Sequence, residues 1–251
     1  MSRIYQSPPI VEALCEFQFA ERDWDMTVPG LMYQEVRQQF PRKRQVQGIE
    51  WEVQAESSQI SQRVASAAPR MQFLRNDERA LIQVGPGLLS INHLQPYPHW
   101  GVFQQMIFDT LAAYRRVAQP VSLTRVGLRY INHIELPDNH KAISDYLLVG
   151  PKLPPGVHDE ITSLLLRVEL SQPDDNGVLM LTLASAPTRE DGRRSIVLDL
   201  DCITTAASAL SFDMAPQWVD TAHAHIETTF EACITDKLRE TFMEASDGGR
   251  P

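Results

Sequence analysis

The chain contains little of what several classes of protein require. Its 251 residues include three cysteines, which are odd in number and far apart, so we expect no disulfide framework and a reducing, cytoplasmic setting. No apolar run reaches the roughly 18 residues that a membrane-spanning helix needs, and residues 1–6 lack the apolar core of a secretion signal. With 43% hydrophobic and 22% charged residues, the composition is globular and excludes collagen and coiled-coil classes.

The chain also lacks the linear motifs that mark many active sites. It has no Gly-x-Ser-x-Gly elbow, no Gly-x-Gly-x-x-Gly loop and no Cys-x-x-Cys pair. His223 and His225 are two residues apart on a predicted helix and point in different directions, so they cannot bind one metal ion together. Asp199 and Asp201 share one face of a predicted strand, which indicates a magnesium site or, more simply, a solvated acidic surface. We expect no metal and no cofactor, which weakens the case for an enzyme without closing it.

Negative charge dominates only the second half of the chain. Residues 1–117 carry equal numbers of basic and acidic side chains, so the whole formal net charge of −9 lies in residues 118–251. The one basic cluster, at 37–44, is predicted near the end of a helix, where cations complement the helix dipole. We therefore expect neither a membrane nor a nucleic-acid partner, unless this cluster shares one surface with Arg63, Arg70, Arg75 and Arg79.

Apolar periodicity predicts helices that alternate with groups of strands. Helical spacing is found at 28–40, 100–117 and 218–242, and more briefly at 142–149. Patterns typical of strands are found at 13–20 (with a shift of phase), 49–53, 72–74, 80–84, 88–94, 123–136, 162–170, 178–184 and 195–204.

The predicted elements follow the same order in both halves, which points to an internal duplication. Each half contains a strand, a helix, three or four strands and a long helix headed by a tryptophan, Trp100 or Trp218. We predict a single α+β unit over 1–251, with pseudo-repeats at about 8–117 and 121–243 and a flexible tail at 244–251. The strands form one curved antiparallel sheet, with both long helices on one face. This order resembles the saddle of the TATA-box-binding protein and other helix-grip folds, and that likeness of topology implies no function.

Two short segments combine proline, arginine or glycine with apolar residues. Residues 5–13 read Tyr-Gln-Ser-Pro-Pro-Ile-Val-Glu-Ala, and residues 125–132 read Arg-Val-Gly-Leu-Arg-Tyr-Ile-Asn. We name them the first and the second motif. Both resemble motifs of a sporadically distributed bacterial family whose members have about this length and no established function. The resemblance implies a single full-length unit in a bacterial cytoplasm, and it carries over no catalytic residues.

The second motif contains a candidate anion site. Arg125 and Arg129 project from one face of a strand, and Gly127 between them leaves room for a flat or bulky group. In one interpretation the two arginines grip a carboxylate or a phosphate above the glycine. In the other, simpler interpretation they form a charge ladder with Glu12, Glu16 or Glu169.

The triplet Ile-Asn-His occurs late in two predicted strands, as residues 91–93 and 131–133. If these strands are neighbours, Asn92, His93, Asn132 and His133 line adjoining rows, and one histidine can act as an acid or a base. The alternative is that these polar residues cap the strand ends before the prolines that follow.

The sequence as a whole predicts a binding or interaction module and selects no reaction. We place its partner, a protein or a small anionic ligand, on the sheet surface, and we expect a homo-oligomer. One alternative is an enzyme in which the arginines clamp a small anionic substrate and a histidine moves protons. The other is a nucleic-acid-associated protein of a mobile-element or defence locus. The residues assigned to the site are Arg125, Arg129, Asn132, His133, Asn92 and His93.

Overall fold

The computed structural model of the protein shows a single antiparallel sheet with helices on one face. It describes residues 3–20, 23–56, 59–137, 142–156, 161–172, 177–186, 193–205 and 210–243, with the backbone alone for 48–56 and 59–67. Within these residues nine strands and four α-helices form the predicted α+β fold. The tail predicted at 244–251 lies outside the described residues.

All neighbouring strands of the sheet are antiparallel. Across the sheet the order is β2-β3-β4-β5-β1-β6-β9-β8-β7, so β1 and β6 pair near its centre while β2 and β7 form its edges. In chain order the strands are β1 (Ile10–Phe19), β2 (Arg42–Glu56), β3 (Gln59–Leu74), β4 (Ala80–Gly85), β5 (Leu88–Leu94), β6 (Leu123–Glu135), β7 (Leu165–Gln172), β8 (Gly177–Ser185) and β9 (Ser195–Thr204).

Period-two alternation gives the sheet two different faces. In β1 every second side chain from Ala13 to Phe19 is buried in the core beneath the helices, and we name this side the helix face. On the other side, which we name the polar face, the central strands carry mainly charged and amide groups. These groups are Glu12, Glu16, Gln18, Arg125, Arg129, Asp199 and Asp201.

Two long helices cover the centre of the helix face. The helices are α1 (Val28–Val36), α2 (Trp100–Ala118), α3 (Ala215–Cys233) and α4 (Asp236–Arg239), with single 3-10 turns at Ile143–Asp145 and Glu240–Phe242. α2 and α3 meet where the ring of Trp100, the first residue of α2, stacks on His223 in the middle of α3, with the ring centroids 3.9 Å apart and the planes 12° apart. Beside this stack Gln104 of α2 donates a hydrogen bond to Asp220 of α3. The contact fixes the two helices against each other over β5, β6 and β9.

Where the apolar pattern is strong, the predicted bounds agree with the structure. Where the sequence is polar, the prediction missed part of the strand. The strands predicted at 88–94 and 195–204 have those bounds, and α2 ends one residue later than predicted. β2 and β3, by contrast, form one long hairpin that extends far beyond the strands predicted at 49–53 and 72–74. The sequence of the hairpin has no continuous apolar alternation, so periodicity could not reveal it. From Ala13 to Phe19 burial alternates without the predicted shift of phase, because Leu14 lies on the polar face. The register of β1 against β6 does shift, between Ile10 and Glu12 and between Gln18 and Phe19.

The helix ends differ from the prediction for local reasons. α1 ends at Val36, so residues 42–44 lie in β2 and the helix-dipole explanation does not hold for them. The segment 142–149 contains only one 3-10 turn. The final helix breaks after Cys233 because Ile234 is extended, and Thr235 then caps α4 by accepting a hydrogen bond from the amide of Leu238.

Removing a buried side chain of β6 should destabilise the whole fold. Leu128 is fully buried on the helix face, so Leu128→Ala should lower the free energy of unfolding by about 2–5 kcal/mol. Val121, which is 75% exposed, serves as control, and Val121→Ala should change it by less than about 0.5 kcal/mol. Urea denaturation followed by circular dichroism measures both. Equal stability of the two variants would contradict the central position of β6.

Candidate functional site

Both arginines of the second motif are held by carboxylates of neighbouring strands. Arg129 donates two hydrogen bonds to Asp199 of β9, with Nε 2.8 Å from Oδ1 and Nη2 2.6 Å from Oδ2. Arg125 Nη1 lies 3.4 Å from Glu16 Oε1 of β1. The hydrogen bonds to Asp199 raise the pKa of Arg129 against the opposing effect of its burial. The structure thus shows the charge ladder for Arg125 and Glu16, while Arg129 pairs with an aspartate that the ladder did not include.

Neighbours on β9 limit the space beside Gly127. Ile203 lies opposite Gly127, and a methyl group on this glycine would lie 3.4 Å from Ile203 Cγ2, already in van der Waals contact. Asp201 lies next to it, and burial raises the pKa of Asp201 to about 6 against the lowering effect of Arg129 and Arg125. The polar face here is a packed cluster of charges, where the sequence suggested an open glycine floor.

Asn92 is enclosed in a row of polar side chains on the same face. Its Nδ2 donates to Glu12 Oε1 at 2.7 Å, and its Oδ1 accepts from Ser90 Oγ at 2.9 Å and from Gln83 Nε2 at 3.2 Å. Gln83 accepts in turn from Gln72 Nε2 at 3.0 Å. Because Asn92 is 5% exposed and bonded on both ends of its amide, its role here is to join β4, β5 and β1.

The six residues that the sequence assigned to one site lie on two faces of the sheet. Arg125, Arg129, Asn92 and His133 are on the polar face, whereas His93 and Asn132 are on the helix face. β1 also lies between β5 and β6, so the two Ile-Asn-His triplets are not on neighbouring strands. The adjoining rows of asparagine and histidine that were predicted for neighbouring strands therefore do not form.

The side chains of the two residues on the helix face are hydrogen-bonded to backbone carbonyl groups. His93 lies opposite Ala13, its Nδ1 is 2.8 Å from the carbonyl oxygen of Leu94, and burial lowers the pKa of its imidazole. Asn132 Nδ2 donates to the carbonyl oxygen of Leu198 at 3.0 Å. Only Asn132 of the six lines the cavity on this face.

A cavity of about 350 Å³ opens on the helix face where the first residues of the chain cross the ends of the long helices. Its walls come from residues 3–10, from residues 97–101 at the start of α2, from β6 and from residues 223–231 of α3. Both motifs reach it, the first through Tyr5, Pro8 and Pro9, the second through Tyr130 and Asn132. The structure thus brings together two segments that are more than a hundred residues apart in the sequence.

Three polar side chains form a hydrogen-bonded chain in the cavity wall. The hydroxyls of Tyr97 and Tyr130 are 2.8 Å apart, and Tyr130 Oη is 3.3 Å from Nδ1 of His223, whose ring is stacked on Trp100. Burial lowers the pKa of His223 to about 4 and raises the pKa of both tyrosines. At neutral pH the imidazole is therefore uncharged and both phenols keep their protons.

Tyr5 fastens the first motif to the last helices. Its hydroxyl donates to Glu231 Oε1 at 2.6 Å, and Arg239 Nε donates to the other oxygen of the same carboxylate at 2.8 Å. The ring of Tyr5 packs edge-on against Phe230 and Phe242, with centroid distances of 6.5 and 5.5 Å. This contact holds residues from both ends of the chain in the cavity wall.

His99 lies in the cavity wall and has a strained backbone conformation. Its φ of 140° and ψ of 163° fall in a region that glycine almost alone adopts. Such a conformation costs on the order of 1–3 kcal/mol and is found mainly at active sites and ligand-binding sites. His99 precedes Trp100, so the strained residue sets the direction in which α2 and its aromatic side chain begin.

Sequence reasoning missed this site although it singled out several of its residues. Tyr5 and Tyr130 belong to the two motifs, and Trp100 was noted as the head of a long helix. Periodicity assigns buried aromatic residues to the core, which holds for most of them. A prediction of the cavity would have required the pairing of β1 with β6.

Several chemistries lack support in the described residues. Between residues 3 and 243, gaps aside, no three histidine, cysteine, aspartate or glutamate side chains are grouped so that they could hold a metal ion. Cys15, Cys202 and Cys233 are all buried, and burial raises the pKa of Cys15 and brings that of Cys233 to about 11. A thiol with a raised pKa is a poor nucleophile at neutral pH.

No protein-family model and no curated protein matches this chain. In the described part of the chain no helix is long and apolar enough to cross a membrane.

Asp201→Asn should stabilise the protein at neutral pH and leave it unchanged in acid. The pKa of Asp201 rises from its ordinary value of 3.8 to about 6 on folding, so between these values the folded state binds the proton more tightly. The free energy of unfolding then falls as the pH rises through this window, by about 3 kcal/mol in total. Urea denaturation at several pH values should show the variant more stable at pH 8 and equal to the wild type below pH 4. Equal curves at pH 8 would contradict the raised pKa.

The imidazole of His223 should titrate far below an ordinary histidine. Its folded-state pKa of about 4, against the usual 6.5, follows from burial beside Trp100 and Tyr130. An NMR titration of the histidine ring protons measures it, and the His223→Gln variant assigns the signal. Because the unfolded chain binds the proton more tightly, this group should lower stability as the pH falls from 6.5 to 4. A midpoint above pH 6 would refute the neutral imidazole.

Proposed function

We propose that the protein is a binding module for a small, uncharged, ring-bearing organic molecule that occupies the cavity on the helix face. One observation carries the proposal: the hydrogen-bonded chain of Tyr97, Tyr130 and His223 lies in the wall of a cavity of about 350 Å³. A concave, mainly apolar site with a few polar groups is the usual form of a small-molecule site.

The lining of the cavity suits a flat ring. Aromatic side chains enter it from α2 and the segment before it, from β6, from α3 and from the first motif, and they can stack on a ring or meet its edge. The volume of about 350 Å³ is at the low end of the 300–1,000 Å³ typical of ligand sites, which favours a compact molecule. The aromatic residues of the lining are Tyr5, Tyr97, Trp100, Tyr130 and Phe230.

The polar groups of the wall suit an uncharged ligand. With neutral His223, the chain can run from Tyr97 through Tyr130 to Nδ1, or in the opposite direction with Nδ1–H as donor. The wall can therefore meet either a donor or an acceptor of a hydroxyl, carbonyl or amide group. The charges nearby oppose each other, because Arg239 neutralises Glu231 and the lining contains both Arg3 and Glu227.

The other predicted functions have less support from the geometry. An anion at Arg125 and Arg129 would have to displace Glu16 and Asp199 from ion pairs that already exist. An enzyme that uses His93 or His133 is not favoured, since neither residue lines the cavity.

The nucleic-acid alternative also finds little to support it. Arg42 forms an ion pair with Glu78, and Arg75 lies 3.9 Å from Asp77, so part of the basic surface is neutralised. The formal net charge of −9 remains unfavourable for binding a polyanion.

We further infer that the cavity lies at the junction of two duplicated halves. Outward from the central pair, the strands follow the order β1-β5-β4-β3-β2 on one side and β6-β9-β8-β7 on the other. In each half the outer strands form a meander whose last strand returns to pair with the first, and a long helix follows. This similarity supports the duplication and the saddle-like arrangement expected from the sequence, although the first half has one more strand.

The experiment is native mass spectrometry with a cavity-filling variant. Gly101 lines the cavity in the first turn of α2, and a Cβ there would meet only the ring of His99, at 3.6 Å. Gly101→Leu should therefore fold and fill the cavity. Gly30→Leu is the matched control, because a Cβ on this glycine in α1 would meet no atom within 4 Å.

The wild type and the control should carry a small molecule from the cell, or bind indole or 2-naphthol when these are added. The Gly101→Leu variant should bind at least about tenfold more weakly, since the leucine would take up part of the cavity and displace a ring from its contacts with the wall. If all three proteins bind equally, the ligand lies elsewhere. Bare chains that bind neither probe in any of the three would contradict the proposal.

A further inference from the structure

We propose that β7 pairs antiparallel with β7 of a second copy of this chain, so that two sheets join into one across a two-fold axis at Val168. The inference is independent of the cavity, which lies between α2, α3 and β6. It rests on the exposure of this edge strand, on the direction of its backbone groups and on the order of its side chains.

β7 is an edge strand with large apolar side chains in solvent. Leu165 is 71% exposed, Val168 37% and Leu170 39%. An edge strand presents unpaired amides and carbonyls, and proteins usually protect such an edge with charges or proline. The opposite edge has this protection, since β2 begins with Arg42, Lys43 and Arg44. β7 contains no proline and only one charge of each sign, so it is suited to pairing.

The backbone allows a two-fold axis at Val168. The amide of Ser185 donates to the carbonyl of Leu164, the residue before β7, at 2.8 Å, and the amide of Leu164 donates to Ser185 Oγ at 3.0 Å. The backbone groups of Leu164 therefore point towards β8. By alternation Val168 also bonds towards β8, and Arg167 and Glu169 direct their amides and carbonyls outwards. With the axis at Val168, these outward groups bond to each other across the interface.

The side chains fit the same axis. Arg167 and Glu169 lie two residues apart on the polar face, 3.3 Å from each other and half exposed. The axis at Val168 places each of them opposite the other residue in the second copy, which forms two charge pairs. On the helix face, Leu166 then lies opposite Leu170. An axis one residue away would bring two arginines or two glutamates face to face, so the charges select Val168.

A cysteine cross-link tests the register. At the axis Val168 would face its own copy in a non-hydrogen-bonded pair, with Cα atoms about 4.5 Å apart, within reach of a disulfide. Val168→Cys should therefore form a covalent dimer on mild oxidation. Ser171→Cys is the matched control on the same strand, because six residues along the strands would separate the two copies by about 20 Å. The three natural cysteines are buried and do not interfere.

A charge exchange tests the same interface without a cross-link. Arg167→Glu or Glu169→Arg alone places like charges opposite each other and should raise the dimer dissociation constant about tenfold. The double variant with both changes restores opposite charges and should dimerise like the wild type. Sedimentation velocity measures the dissociation constants, and circular dichroism verifies that each variant is folded.

Three results would overturn the proposal. The first is a wild-type chain that stays monomeric throughout the micromolar range. The second is a Val168→Cys protein that is folded but gives no covalent dimer, or a Ser171→Cys control that gives as much. The third is a double charge variant that dimerises no better than either single one.

Discussion

The pairing of β1 with β6 is the constraint on which the other features depend. It places Ala13 opposite Tyr130 and Glu16 opposite Gly127, so the first and the second motif become neighbours. Because the strands are antiparallel, the N-terminal end of β1 meets the C-terminal end of β6. The first residues of the chain then reach the ends of both long helices, where the cavity lies.

Alternation along β6 gives adjacent residues different environments. Arg129 projects to the polar face, where it makes its bidentate pair with Asp199, and Tyr130 projects to the helix face, where its hydroxyl joins Tyr97 and His223. A change of register by one residue would exchange these environments and bury a guanidinium group in the core. The ion pairs of the polar face thus help to hold the strand in the position that the cavity needs.

The cavity is formed by segments that are far apart in the sequence. Tyr5 is bound to Glu231, which Arg239 also holds, and Trp100 stacks on His223, so each wall is held by a contact between distant segments. Desolvation keeps the imidazole neutral and the phenols protonated, since the charged form of each group would lie in the protein interior without hydration. A neutral, aromatic wall is the result, and it is the basis of the proposed ligand class.

Local pattern in the sequence was enough to determine the α+β class and the positions of α2, β5 and β9. The helical spacing of Phe103, Ile107 and Leu111 marks the buried face of α2. The alternation of Ile196, Leu198 and Leu200 marks the buried face of β9. The pattern also offered Glu16 as a partner of Arg125.

Tertiary structure alone decided which residues share a site. Asn92 and Asn132 look equivalent in sequence, yet an intervening strand and opposite alternation put them on different faces. Strand order and long-range contacts are set by the packing of the whole chain, which no local period records. For that reason the cavity, the partner of Arg129 and the exposed edge at β7 became visible only in the folded protein.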